Sequence, residues 1–273
     1  MDKFYVIGDP IKHSHSPLIH NAILDFLGMG QTYTARQIGQ EELACFINEV
    51  RGGDVKGFNV TAPHKIAIMQ YLDEIGAEVE KIGAVNTVRS IEGRMVGYNT
   101  DADGFSQMLK RAGVRVTGAK VKIIGAGGAA RGVIYALLRD GAEEITVYNR
   151  TQEKAAKLAA DFGVDYELPE AFTPECDILI NTSSAEMFEG GNNGIDLPED
   201  SGFKPNVTDI IYLPPETRFL KQARERGCQT QNGLNMLIFQ AIRAAEIWHG
   251  VDLMENEELL RRIHKKFAEI GVV

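Results

Sequence analysis

The stretch Val121-Lys122-Ile123-Ile124-Gly125-Ala126-Gly127-Gly128-Ala129-Ala130-Arg131, answered further on by Asn149-Arg150-Thr151, decides how this chain folds. A β-branched run ends on glycine and a helical pattern begins at once, which reads as strand, tight turn, helix. Glycines at 125, 127 and 128 let the backbone bend sharply and approach a pyrophosphate with no Cβ atoms in the way. A helix starting near Gly128 would aim its free N–H groups and the positive end of its dipole at that anion. The spacing G-x-G-x-x-A, with Ala126 and Ala129 at variable positions, is an accepted form of the dinucleotide fingerprint. A second strand, Glu144 to Tyr148, completes a βαβ unit of the expected size. At its tip an NAD-binding chain would carry an acid for the ribose 2′-hydroxyl, but here stand Asn149, Arg150 and Thr151. An arginine pairs with a 2′-phosphate that an acid would repel, so the expected cofactor is NADP. Thr151 also reads as an N-cap for the next helix.

Outward from this unit the strands are expected at 121–124, 144–148, 177–181 and 207–211, a parallel nucleotide-binding sheet. Upstream, strands at Phe4 to Ile7, Thr32 to Gln37 and Gly57 to Val60 alternate with helices at Pro17 to Leu27 and Glu41 to Val50. Val85 to Ile91 and Arg94 to Tyr98 form a hairpin around Glu92-Gly93. Downstream, Leu234, Leu237, Ile238, Ala241, Ile242, Ala245 and Trp248 share one helical face, and so do Leu259, Leu260, Ile263, Phe267 and Ile270. The fold class is therefore α/β with two domains. The first covers residues 1–101 and is completed by C-terminal helices within 237–273 that pack back on it. The second, 102–236, is a Rossmann-type domain for NADP.

Length and composition fit this plan. At 273 residues there is room for two cores, and 44% hydrophobic with 25% charged residues is ordinary for a soluble globular protein. A net charge of −9 argues against a nucleic-acid partner. No apolar run is long enough to span a bilayer, and the start lacks the pattern of a secretion signal. Three scattered cysteines, Cys45, Cys176 and Cys228, fit a reducing cytoplasm and no metal cluster. Composition leaves monomer and homodimer equally open.

A second constellation lies in the first domain. Ser16-Pro17 reads as an N-cap and N1 pair, but Ser14 has no such structural use. Two hydroxyls one residue apart at a helix start make a receptor for a carboxylate, so a small anionic substrate is expected. His13 and His15 lack further ligands at metal spacing, so no metal is expected. In Asn59-Val60-Thr61-Ala62-Pro63-His64-Lys65, Pro63 reads as a helix start that places Lys65 in a first turn. The dipole disfavours a cation there and would favour the neutral amine, which suits proton transfer. Asn86 offers donor and acceptor to a hydroxyl, and Asp101 either caps the helix it precedes or pairs with Lys65 as a proton relay for alcohol/ketone chemistry.

Taken in order, these segments resemble those of the shikimate dehydrogenase family. They are Gly8-x-Pro10 with His13-Ser14-x-Ser16-Pro17 and His20-Asn21, then Asn59-Val60-Thr61-x-Pro63-x-Lys65, Gly83-Ala84-Val85-Asn86-Thr87 and Asn99-Thr100-Asp101. The glycine loop and Asn149-Arg150-Thr151 follow, then Asp209-Ile210-Ile211-Tyr212-x-Pro214-x-x-Thr217 and Gly233-Leu234-x-Met236-Leu237-x-x-Gln240. The resemblance covers nearly the whole chain and implies reversible NADP-dependent reduction of 3-dehydroshikimate to shikimate, on the route to the aromatic amino acids, in a cleft between domains. It implies that Ser14 and Ser16 bind the substrate carboxylate with Tyr212 near it. It gives Thr61, Asn86, Asp101 and Gln240 the ring hydroxyls, and makes Lys65 the proton-transfer residue, assisted by Asp101. Gly125 to Ala129 would cradle the pyrophosphate, Asn149 to Lys154 the 2′-phosphate, and Ile210, Gly233 and Met236 the nicotinamide side. The alternatives are a shikimate/quinate enzyme using NAD and a catalytically silent NADP-binding regulator. Three positions depart from the family pattern: Glu186 and Asn235 replace glycines, and Leu213 replaces an asparagine. If the backbone at 186 requires positive φ, glutamate would strain the loop there.

Overall fold

The computed structural model of the chain describes residues 2–187, 191, 192, 194, 195, 197 and 202–272. It divides into two compact units, Met1–Gly104 with Leu237–Gly271, and Phe105–Met236.

The first unit runs β1 (Lys3–Gly8), α1 (Ser16–Phe26), β2 (Thr32–Gln37), α2 (Leu43–Arg51), β3 (Val55–Val60), β4 (Glu74–Ile75), α3 (Ala77–Ile82), β5 (Thr87–Ile91), β6 (Arg94–Tyr98) and the start of α4 (Asp101–Arg111). Its six-stranded sheet has the order β2-β1-β3-β5-β6-β4. The β1–β2, β1–β3 and β4–β6 pairs are parallel, whereas β5 lies antiparallel to both β3 and β6. Glu92 at φ 51 and Gly93 at φ 80 make the β5–β6 turn, the left-handed pair that a two-residue hairpin loop requires.

Strand alternation sorts the core onto two faces. On one, Ile7, Val55, Phe58, Val60, Val88 and Met95 pack against Leu43, Phe46, Ile47 and Val50. On the other, Phe4, Val6 and Tyr33 meet Leu24 of α1 with Ala244 and Trp248 from the C-terminal end of the chain. Each large apolar side chain buried this way contributes roughly 1.5–3 kcal/mol. Trp248 also donates from its indole Nε1 to Val88 O at 3.0 Å. Strand β2 is an outer strand, and Asn21 on α1 finishes it. The Asn21 amide accepts from Tyr33 N at 2.9 Å and donates to Tyr33 O at 2.9 Å, so it stands in for a neighbouring peptide group.

The second unit follows with β7 (Lys120–Ile124), α5 (Gly128–Arg139), β8 (Glu144–Tyr148), α6 (Gln152–Phe162), β9 (Asp165–Glu167), β10 (Ile178–Asn181), β11 (Asn206–Asp209), α7 (Arg218–Glu225) and β12 (Thr230–Gln231). Its sheet has the order β12-β11-β10-β7-β8-β9, parallel throughout. This is a doubly wound sheet whose order reverses between β7 and β10, where such folds bind ligands. Strand β10 is buried along its whole length, and Val121, Ile123 and Ile124 of β7 are buried beside it, as central parallel strands require. The last helices, α8 (Leu234–His249) and α9 (Glu257–Glu269), fall in the first unit from Leu237 onward, and α9 packs beside α1.

Candidate active site

The topology of the first sheet collects four segments at one end. Strands β1, β3 and β6 all finish there, and antiparallel β5 begins there. Asn59 on β3 stands opposite Thr87 on β5, which stands opposite Tyr98 on β6. The residues just beyond these ends are Thr61 and Lys65 after β3, Asn86 before β5, and Asn99, Thr100 and Asp101 after β6.

Lys65 and Asp101 meet. The ammonium Nζ lies 2.5 Å from Asp101 Oδ2, with both side chains largely buried. Asn86 Nδ2 donates to the other carboxylate oxygen at 2.8 Å. Asp101 is the first residue of α4 and does not cap it. Asn99 does, accepting from Asp101 N at 3.1 Å and from Ala102 N at 3.4 Å. The Asp101 carboxylate is thereby left to the lysine.

The expected helix at Pro63 is absent. Residues 61–66 form a turn, and only a five-residue 3-10 segment, Ala67–Tyr71, follows. Lys65 therefore sits in no helical first turn, and the dipole argument for it lapses. Its position comes from its own carbonyl, which accepts from Val85 N at 2.8 Å and ties the turn to the segment leading into β5.

At α1 the two serines exchange the parts expected of them. The helix starts with Ser16 and Pro17 in its first turn, His15 stands at the N-cap position, and Ser14 Oγ accepts from Ser16 N at 3.3 Å. The reason is one residue of register: with Ser16 already helical, its hydroxyl lies too far along to cap. The buried Ser16 side chain makes no hydrogen bond to the described residues, so its hydroxyl is available to a ligand. Thr61 is half-buried behind β3, and its hydroxyl is likewise unengaged. Gln240 on α8 is buried and donates from Nε2 to Leu237 O at 2.8 Å.

In the second unit the loop after β7 has the shape of an anion cradle. Gly125 adopts φ 104 and an added Cβ would lie 2.8 Å from Thr182 Oγ1, so this turn demands glycine. Thr182 braces it, donating from Oγ1 to Ile124 O at 2.9 Å. Gly127 stands at the N-cap of α5 with no side chain capping the helix and open space above it. Ala126, Gly128 and Ala129 are partly exposed around the same uncapped N–H groups. At the tip of β8, Asn149 Nδ2 donates to Thr151 O at 2.8 Å and folds a turn that presents Arg150 to solvent. Arg150, Thr151 and Lys154 are exposed, and neither basic side chain has an ion-pair partner among the described residues. Thr151 occupies the N-cap of α6 but makes no side-chain cap bond, and its hydroxyl makes no hydrogen bond to the described residues. Beyond β11, Ile210 and Gly233 come so close that a Cβ at 233 would lie 1.9 Å from Ile210 O. Tyr212 is half-buried, and Met236 is buried at the start of α8.

Comparison with known proteins matches both halves of the chain. Residues 6–88 match the family model for the shikimate dehydrogenase substrate binding domain, and residues 107–191 that for shikimate / quinate 5-dehydrogenase. The chain belongs to the shikimate dehydrogenase family. It is 43% identical over 258 residues to the shikimate dehydrogenase (NADP(+)) of Caldanaerobacter subterraneus subsp. tengcongensis, covering 90% of this chain and 91% of that one. The Aquifex aeolicus shikimate dehydrogenase superimposes with a TM-score of 0.89 at 37% identity, covering 97% of this chain and 98% of that one. The Thermus thermophilus shikimate 5-dehydrogenase, solved with NADP(H) and shikimate, gives 0.86 at 36% identity, covering 96% and 100%.

The three departures from the shikimate dehydrogenase pattern are benign for the backbone. Glu186 has no positive φ, so the strain expected of it is absent. It lies in a 3-10 turn, Ala185–Met187, and its buried carboxylate accepts from Phe219 N at 2.9 Å in the first turn of α7. Asn235 is helical and exposed, and Leu213 is exposed before Pro214. Among the described residues no cluster of three or more His, Cys, Asp or Glu side chains could hold a metal, and no helix is long and apolar enough to cross a membrane.

Sequence reasoning passed over the residues behind the site. Asn59 and Thr87 are fully buried polar side chains, and Tyr33 reaches Asn59 from β2. The available signal was Asn59 inside the apolar run Gly57-Phe58-Asn59-Val60, because a buried amide must be hydrogen-bonded to something.

Proposed function

We propose that this chain is an NADP-dependent shikimate dehydrogenase that reversibly reduces 3-dehydroshikimate to shikimate. The observation that carries this reading is the Lys65–Asp101 pair, held at the mouth of four converging segments in a chain of this family. The first unit is read as the substrate and catalytic domain, and Phe105–Met236 as the NADP domain. When bound, NADPH supplies the hydride that reduces the ring carbonyl.

The residues then divide the remaining work. Lys65 Nζ donates a hydrogen bond to the carbonyl oxygen and delivers the proton as charge develops there. Asp101 holds that ammonium in place, and with Asn86, Thr61 and Gln240 fixes the ring hydroxyls. Ser14 and Ser16 bind the substrate carboxylate. Tyr212 is assigned to the substrate on family resemblance alone. Gly125 to Ala129 and the first N–H groups of α5 hold the pyrophosphate. Asn149, Arg150, Thr151 and Lys154 hold the 2′-phosphate, and Ile210, Gly233 and Met236 line the nicotinamide side. Unpaired cysteines and the biosynthetic reaction support a cytoplasmic location.

The test is an absorbance assay at the nicotinamide band with shikimate and with quinate, each with NADP and with NAD. Shikimate with NADP is expected to be the best pair. Replacing Lys65 by Ala should lower turnover by roughly 10²–10⁴-fold while changing shikimate affinity much less. Near-normal turnover in that variant would remove Lys65 from the mechanism, and no turnover in the unaltered protein would leave a silent NADP-binding regulator.

A further inference from the structure

Behind the Lys65–Asp101 pair lies an unbroken line of buried hydrogen bonds that reaches back to the outer strand of the sheet. Tyr33 OH donates to Asn59 Oδ1 at 2.7 Å. Asn59 Nδ2 donates to Thr87 Oγ1 at 2.9 Å and to Asn86 O at 3.2 Å. Thr87 Oγ1 donates to Asn86 Oδ1 at 3.0 Å, and Asn86 Nδ2 donates to Asp101 Oδ1 at 2.8 Å. Tyr33, Asn59, Thr87 and Asn86 are all buried, so water does not compete for these bonds.

The line has a direction, set by what each group can do. Burial raises the Tyr33 phenol well above its ordinary value and keeps it a donor. A donor at Asn59 Oδ1 turns the Asn59 NH₂ toward Thr87. The Thr87 oxygen, already accepting from Asn59, sends its one proton onward, either to Asn86 Oδ1 directly or to Thr100 Oγ1 at 3.2 Å, which in turn donates to Asn86 Oδ1 at 3.2 Å. By both routes Asn86 Oδ1 accepts, beside Thr100 N at 2.7 Å. With its oxygen held by two donors, Asn86 has only its NH₂ to offer Asp101. A flipped Asn86 would set an amide oxygen against a carboxylate oxygen, and the Lys65 partner would be pushed away.

The geometry points to Tyr33, Asn59 and Thr87 as positioning residues for the reaction: a one-way donor relay that fixes the amide orientation of Asn86 and, through it, the Asp101–Lys65 pair. Asn21 and His20 belong to its foundation. Asn21 clamps the Tyr33 backbone, and the His20 ring stacks on the Tyr33 ring at 4.1 Å between centroids. This inference rests on the reading of Lys65 and Asp101 as catalytic, and the experiment separates the two.

Three variants change the relay while sparing its shape. Thr87→Val keeps the volume and removes the hydroxyl, Thr87→Ser keeps the hydroxyl and removes a methyl, and Tyr33→Phe removes one oxygen and leaves the stack on His20. Steady-state kinetics would be measured well below the melting temperature, alongside Lys65→Ala. Thr87→Val should lose about tenfold in kcat/KM for shikimate and Tyr33→Phe about three- to fivefold, the worth of one neutral hydrogen bond. Thr87→Ser should stay near the unaltered enzyme, and the KM for NADP should move less than twofold throughout. If Thr87 serves packing alone, the order reverses: the serine variant suffers and the valine variant is silent. That result, with Lys65→Ala inactive, overturns the relay only. An active Lys65→Ala overturns the reading beneath it.

Discussion

Ser14 and Ser16 differ in what their hydroxyls already do, and that difference separates binding from stability. Ser14 accepts a backbone N–H at the start of α1, whereas Ser16 has nothing to give up. Ser14→Ala should therefore lower stability by about 0.5–1 kcal/mol, read as a drop in melting temperature, as well as weaken shikimate. Ser16→Ala should leave the melting temperature alone and raise the shikimate KM by an amount equivalent to ~1–3 kcal/mol, the worth of a bond to a charged group. The converse result, a stability loss at Ser16 alone, would return the cap to Ser16. At the tip of β8, Arg150 has no ion-pair partner among the described residues to lose, so its removal should be felt by the cofactor only. Arg150→Ala should weaken NADP about ten- to a hundredfold and leave NAD nearly unchanged, as Michaelis constants for both cofactors would show. Equal losses for the two would mean that Arg150 supports the adenine pocket or the fold instead.

Elements in the second unit are tied by carboxylates that local sequence patterns did not disclose. Asp209 ends β11 and is fully buried. It accepts from Thr217 Oγ1 at 2.7 Å, Ile211 N at 3.0 Å and Asn181 Nδ2 at 3.0 Å, which joins β10 and β11 to the cap of α7. Burial pushes its carboxyl up to about 6 despite these donors, and Glu186 adds to the rise. A carboxyl raised in the folded state stabilises the fold fully below its unfolded value near 4, and that contribution is lost as pH rises through 6. Asp209→Asn should accordingly be least harmful near pH 7.5 and most harmful near pH 4.5, seen as the gap in melting temperature between variant and unaltered protein. A gap that is constant with pH would show that Asp209 does not titrate in this range. The βαβ unit was legible because glycine spacing and strand period are short-range properties. The helix expected at Pro63 was not, because Lys65 is placed by a bond to Val85, twenty residues away. Asn99 caps α4 where Asp101 was the expected cap, for a similar reason: Lys65, 36 residues back in the chain, claims the Asp101 carboxylate. Glu186 looked like an intrusion at a glycine position, yet it serves the backbone of α7, whose start lies 32 residues further along the chain.

The whole molecule is threaded unevenly. The second unit is one uninterrupted piece of chain, Phe105–Met236, whereas the first takes its last two helices from the far end of the sequence. Trp248 and Ala244 complete the face of the first sheet formed by Phe4, Val6 and Tyr33, so that face is covered only in part, by Leu24 of α1, until residue 248 is present. A chain cut after Met236 should keep a cooperative unfolding transition from its second unit. It should lose the tertiary signal of the first unit and bind a dye for exposed apolar surface. A native-like first unit in that fragment would show that α8 and α9 are dispensable to it. For a chain emerging from the ribosome, the consequence is a reversal of birth order. The residues made first must wait with one side of their sheet only partly covered while the middle of the protein folds, and only the final helices release them from that exposure. The interval before those helices arrive, set by translation speed, is when this protein is most open to aggregation and most in need of a chaperone.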